Sequence, residues 1–218
     1  MRLIPELVLT PAGWERDRAV AITDGRIAAV QSIGTPHRTD VALPGRALLP
    51  GTVNSHCHTF QSLLRGLGDD LDFMGCMLRA GVRVGLGTDG GCTNNRLSVF
   101  EEMRTCSLLQ RVRLLDGTAL SASTAFDLST RSAAAMLGLE AGTIAGGQLA
   151  DLVAVDLDHL SLPPRSDLLE SMVYAMSPEA ITDVWVHGRR VVEGRRLTTL
   201  SEAELVARVS ALTRGWSL

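Results

Sequence analysis

The sequence predicts an α/β insert carried on a β module that the two chain ends build together. Three observations support this reading. Asp24-Gly25 lies between two β-type runs near the N-terminus, and His187-Gly188 lies between two more near the C-terminus. Between them, from about Leu48 to Leu149, the pattern changes to apolar runs followed by helices.

Leu3 to Thr10 alternates as a strand does, and Val20 and Ile22 return through the tight Asp24-Gly25 to Ile27 and Val30. Asp-Gly between β-type runs is the strongest short-range hairpin signal. Leu152 to Val155, then Val184 to Val186 and Val191-Val192, repeat the pattern. Chain ends that lie close together make such a shared module physically ordinary. Within the insert, Ala47 to Cys57 and Val82 to Gly87 are apolar runs without clean alternation, as expected of strands buried on both faces of a parallel sheet. Ser98 with Glu101 forms a capping box, and Phe100, Met103, Cys106, Leu109 and Val112 follow as an apolar stripe at intervals of three. A second helix is expected from about Ser123 to Leu137, ending at Gly138. A terminal helix is expected from Ser201 to Thr213, with Glu202 and Glu204 in its first turn.

Composition narrows the function classes. The chain has 218 residues, 45% hydrophobic, and a net charge of −3. All of its basic residues are arginine, and no basic patch recommends a nucleic-acid partner. Cys57, Cys76, Cys92 and Cys106 have neither zinc-knuckle spacing nor disulfide-scaffold density, so they read as free thiols in a reducing compartment. Glu6 interrupts the first apolar run, and no stretch is long and apolar enough to span a membrane. A cytoplasmic protein without a membrane partner is expected. Length sets a further limit, because a complete (β/α)8 barrel takes about 250 residues.

The chemistry concentrates at two places. In Asn54-Ser55-His56-Cys57-His58, side chains two apart on a strand share a face, so His56 and His58 can offer both imidazoles to one metal ion. By itself the pair suits a structural role equally well. Gly85 to Asp89 places an aspartate at the end of the second apolar run, followed by Asn94-Asn95. Alone, Asp89 suits a turn or a helix cap. The shared setting strengthens both readings, because the C-terminal ends of parallel strands are where such sheets place active sites.

Leu49-Pro50-Gly51 through Asn54, His56, His58, Gln61 and Arg65-Gly66 resembles the first metal-binding strand of the amidohydrolase superfamily, in the branch of purine-type deaminases and s-triazine hydrolases. Gly81 to Gly90 with Asn94-Asn95 is similar to that branch's last barrel strand. Gly142 to Asp156 and Val184 to Gly194 resemble its return to a small β-sandwich. The resemblance implies an incomplete metal-dependent hydrolase (β/α) barrel, reduced to its first and last strands, with a composite β-sandwich. The sandwich would comprise residues 1–50 and 149–200, the barrel remnant 51–148 and a C-terminal helix 201–218. The implied reaction is hydrolytic deamination of a purine-like or other heterocyclic amidine by a metal-activated water. His56, His58 and Asp89 would hold one divalent ion, zinc first and iron second. Asp89 would also accept the proton of the attacking water, and Gln61, Arg65, Asn94 and Asn95 would line the substrate site. With no lysine in the chain, the carboxylated-lysine bridge of two-metal relatives is excluded.

The branch also uses two further histidines and a glutamate between the matched strands, and Arg65 to Ala80 contains neither residue type. His37, His159 and His187 fall in the β module and read as structural or exposed. A central block is therefore expected to be absent, joined between Met74 and Leu78. The alternative is a catalytically inactive truncated member that persists as a homo-oligomer or as a complementing fragment.

Overall fold

The structure, a computed structural model, describes residues 1–55, 81–89, 97–212 and 214. Strands from both chain ends join one mixed sheet. The strands are β1 (Arg2–Thr10), β2 (Gly13–Glu15), β3 (Arg18–Thr23), β4 (Arg26–Ser32), β5 (Asp40–Pro50), β6 (Leu152–Asp156), β7 (Ile181–Val186), β8 (Arg189–Glu193) and β9 (Arg196–Leu197). Their order is β4-β3-β1-β5-β6-β7-β8-β9, with β2 paired to β1. The junction between the two chain ends is β5, parallel to β1 and antiparallel to β6, where Leu49 faces Val153.

Both expected hairpins form, and for the same reason. Asp24 and Gly25 have φ of 50° and 76°, and His187 and Gly188 have 49° and 72°. Two consecutive left-handed residues give the turn whose twist matches the flanking strands. The two turns pack on each other: a Cβ on Gly25 would lie 2.4 Å from the His187 ring, and one on Gly188 would lie 3.2 Å from Gly25 Cα. Ala150 N–H donates to Gly25 O at 2.8 Å, and Gly188 N–H donates to Ala150 O at 2.9 Å. Leu3, Val20, Ile27, Leu48, Leu152 and Trp185 form the apolar core on this side of the sheet.

The helices are α1 (Val99–Leu114), α2 (Ala122–Ser129), α3 (Arg131–Met136), α4 (Leu168–Tyr174) and α5 (Glu202–Leu212), with a short 3-10 turn at Pro178–Ala180. Ser98 caps α1, accepting from Glu101 N–H at 3.4 Å. The expected stripe does not face the core throughout: Phe100 and Met103 are buried, whereas Leu109 and Val112 are 61% and 71% exposed. At about 100° per residue, steps of three carry a side chain roughly 180° around the helix between Phe100 and Leu109. Ser107, seven positions after Phe100, takes the buried place instead. Its hydroxyl is held by Leu120 O at 2.6 Å and by the Tyr174 hydroxyl at 2.9 Å.

The single helix expected over Ser123 to Leu137 is two helices. Thr130 breaks it at φ −129°, ψ −94°. Gly142 approaches that peptide so closely that a Cβ there would lie 2.6 Å from Thr130 C and O. Tertiary packing thus overrides a continuous helical pattern. The run expected as one strand from Ala47 to Cys57 also divides. Its first part lies in β5, and Gly51 to Ser55 leave the sheet without forming strand. Among the described residues, Val82 to Asp89 form no strand either. The described helices include none long and apolar enough to cross a membrane.

Candidate active site

Residues 51–55 and 82–89 run beside each other through individually placed hydrogen bonds rather than a ladder. Gly51 N–H donates to Asp151 O at 2.7 Å, Val53 N–H to Ser129 O at 2.8 Å and Ser55 N–H to Leu86 O at 2.9 Å. Leu86 N–H in turn donates to Leu128 O at 3.1 Å. The second segment is extended and alternates: Val84, Leu86 and Thr88 are buried, and the residues between them are not. That period of two is the mark of one buried face, not of the two expected from the apolar run. Val84 and Leu86 pack in the core with Phe100, Met103, Phe126 and Leu128.

Side chains complete the join. The Ser55 hydroxyl donates to Leu86 O at 2.9 Å and is buried. Asn54 bonds Thr88 twice: its Nδ2 donates to Thr88 Oγ1 at 2.8 Å, and its Oδ1 accepts from Thr88 N–H at 3.0 Å. A backbone N–H can only donate, which fixes the orientation of the amide. Glycine is required at 85, because a Cβ there would lie 2.1 Å from Ser55 Oγ and 3.1 Å from Ala133 Cα.

Asp89 ends the second segment. It is exposed, with φ 56°, a left-handed conformation that aspartate tolerates better than most residues. Its carbonyl oxygen accepts from Thr88 Oγ1 at 3.4 Å, so the Asn54–Thr88 pair continues into Asp89. Of the residues expected at the site, this is the one the structure places. His56, His58, Gln61, Arg65, Asn94 and Asn95 lie outside the described residues.

Among the described residues no group of three His, Cys, Asp or Glu side chains is placed to hold a metal. The donor chemistry nevertheless fits a divalent ion in part, since Asp89 offers a carboxylate next to the segment that runs in sequence into two imidazoles. The other histidines have places in or beside the sheet. His37 N–H donates to Asp40 Oδ2 at 2.9 Å, His159 Nδ1 meets Ser161 Oγ at 2.8 Å, and His187 covers Gly25 in the turn between β7 and β8. Cys106 is a free thiol, and burial pushes it up to about 11, with Glu102 adding to the effect. The remaining three cysteines lie outside the described residues. A cavity of about 280 Å³ between the end of β1 and α2, lined by Thr10, Phe126, Asp127 and Arg131 among others, contains none of the expected site residues.

Sequence reasoning assigned no role to Ser55, Gly85 or Thr88, and valued Asn54 only as part of a motif. The signal that could have found Thr88 is its place in the alternation: a hydroxyl at an inward position needs a partner.

The pattern of the amidohydrolase family matches residues 67–191, more than half of the chain. The 5-methylthioadenosine/S-adenosylhomocysteine deaminase of Bacillus thuringiensis (strain Al Hakam) is 38% identical over 151 residues, 68% of this chain and 35% of the relative. That of Bacillus cereus (strain ATCC 14579) is 37% identical over the same length and shares. The chain therefore spans about a third of the length of these curated relatives. Among solved structures, an adenosine deaminase from Xanthomonas campestris with bound zinc superposes with a TM-score of 0.83 at 19% identity, over 98% of this chain and 97% of that one. An atrazine chlorohydrolase from Arthrobacter aurescens TC1 complexed with zinc gives 0.79 at 13% identity, over 97% and 99%. At these identities the likeness is one of fold. A triazine hydrolase from Arthrobacter aurescens gives 0.60 at 26% identity, over 67% of this chain and 33% of that one.

Proposed function

The chain belongs to the amidohydrolase family, in its deaminase and chlorohydrolase branch, and from that premise we propose that it is a metal-dependent hydrolase of C–N bonds that deaminates a purine-like or other heterocyclic amidine. The observation that carries this is the join of residues 54–55 to residues 86–88, which sets the run leading into His56-Cys57-His58 against the segment ending at Asp89. His56, His58 and Asp89 would hold the ion, zinc in the first instance, and Gln61, Arg65, Asn94 and Asn95 would contact the substrate. When bound, the ion supplies Lewis acidity and makes water a nucleophile near neutral pH. Asp89 would accept the proton of the attacking water as the C–O bond forms and the C=N π pair moves onto the ring nitrogen. It would return that proton to the amino group, which leaves as ammonia as the pair re-forms C=N and the exocyclic C–N bond breaks.

The same reading divides the chain into a composite β-sandwich of residues 1–50 and 149–200, a barrel remnant of 51–148 and a C-terminal helix of 201–218. The one mixed sheet to which both chain ends contribute strands supports the joining of those two segments, not a second packed sheet. The test is metal content and ammonia release by the purified 218-residue chain with 5-methylthioadenosine, S-adenosylhomocysteine and aminopurines. One zinc per chain is expected, with turnover that falls by about 10²- to 10⁴-fold in Asp89→Asn. A chain that takes up no metal under any loading condition ends this reading.

A second reading is an inactive, shortened family member that persists by self-association. It is favoured by apolar residues left exposed on two helices, Leu109, Val112 and Leu115 at α1 and Val206 and Leu212 on α5. Light scattering after size exclusion decides: a compact monomer counts against it.

A further inference from the structure

We propose that Asn54 is a positioning residue. Its amide, bonded at both ends to Thr88, sets the spacing between the segment that leads into His56 and the segment that ends at Asp89. The inference rests on the functional reading above and goes beyond it, because Asn54 and Thr88 are not among the ligands or substrate contacts of that reading.

Three features of the contact carry it. First, its reach is non-local. An asparagine in a turn bonds its own backbone about two positions on, whereas Asn54 reaches a residue 34 positions away. Second, the contact is a matched pair. One group accepts from Thr88 N–H and the other donates to Thr88 Oγ1, at 3.0 and 2.8 Å, so the amide can neither rotate nor flip without losing both bonds. Third, the contact is directed. The Thr88 hydroxyl accepts from Asn54 and donates to Asp89 O at 3.4 Å. The chain of bonds thus runs from the residue two before His56 to the backbone of Asp89, at the peptide where the left-handed φ of 56° redirects the chain.

The rest of the join accommodates this contact without replacing it. Ser55 ties to Leu86 through both its N–H and its hydroxyl, and the missing Cβ of Gly85 lets the two backbones approach. Those contacts hold the segments together but end two residues short of Thr88. The Asn54–Thr88 pair acts at the position next to Asp89. Asn54 is itself exposed, so its side chain is not needed to fill the core.

The experiment uses the full 218-residue chain, with zinc as the probe, in four forms: wild type, Asn54→Ala, Thr88→Val and Thr88→Ser. Zinc affinity is measured by competition with a chromophoric chelator, the cobalt-substituted proteins are compared by visible absorption, and the metal-free proteins are melted. Partners that orient metal ligands typically change metal affinity by about 10- to 100-fold when removed. The expected result is a loss of that size in Asn54→Ala and Thr88→Val, with a changed cobalt spectrum and metal-free melting as in the wild type. Thr88→Ser keeps the hydroxyl and should bind zinc as the wild type does. If Asn54→Ala and Thr88→Val bind zinc as tightly as the wild type, the proposal is overturned while the functional reading stands. If their affinity falls only in step with metal-free stability, the role is structural and the proposal is again overturned. If the wild type itself takes no zinc, the functional reading fails, and this inference fails with it.

Discussion

The nine-stranded sheet and the inserted segment solve the same problem, satisfying an extended backbone, in opposite ways. In the sheet, strands exchange ladders of bonds, as between Arg46–Pro50 and Leu152–Asp156. In the insert, residues 51–55 and 82–89 find partners one at a time: the Asp151 carbonyl just before β6, the end of α2, each other, and the side chain of Asn54. A ladder is cooperative, and its backbone bonds need no particular side chain as a partner. Individually placed bonds make local geometry depend on single residues. The difference teaches that the geometry of the sheet and that of the proposed site are held by different kinds of contact, so that each can be perturbed while the other is watched.

The largest expected effect lies in the sheet. Trp185 is 1% exposed, faces Leu152 across β6, and stacks under the Arg190 guanidinium at 5.4 Å. Trp185→Ala should lower unfolding stability by about 3–5 kcal/mol, read by urea melts. A much smaller loss would mean that the sheet is not the stable part. Gly85→Ala comes next, because its methyl group must displace Ser55 and press on the α3 backbone at Ala133. The expected cost is about 1–3 kcal/mol, with zinc uptake reduced beyond what that loss explains. Equal losses in stability and uptake would erase the contrast. The smallest effect is confined to one end of the sheet. Two bonds from the Arg2 guanidinium and the His37 N–H hold the Asp40 carboxyl down to about 2. Because the folded value lies below the unfolded one, this contribution is present above about pH 4 and is lost as pH falls toward 2. Arg2→Met should raise the Asp40 midpoint toward the ordinary carboxylate value in an NMR titration and leave the insert's resonances unmoved.

The sheet was largely legible because its signals are local. Asp24-Gly25 and His187-Gly188 fix their turns through backbone conformation alone, and β-type apolar residues mark β1 and β6. The short strands β2 and β9 and the helix α4 escaped because two to seven residues carry little periodicity. At α1 the cap was legible but the buried face was not. An interval of three reads as a stripe in sequence but spirals around the helix, and Ser107 takes the inward place through hydrogen bonds to Leu120 and Tyr174 that no pattern encodes. The break at Thr130 is invisible for a related reason, since its cause is the approach of Gly142. The place of Asp89 at the end of its segment was legible from the apolar run before it, whereas the Asn54–Thr88 contact was not, because it joins residues 34 positions apart.

The place of β5 bears on how the chain acquires its structure as it is made. Its partner β6 follows about 100 residues later, so one hydrogen-bonding edge of β5 waits through the synthesis of the whole interval before it is paired. The entropy of closing that interval grows only with the logarithm of its length, and a threefold longer interval would cost about 1 kcal/mol more. The sheet is therefore nearly indifferent to how many residues lie between its halves, and the intervening length can change greatly in evolution without unfolding the platform that carries it.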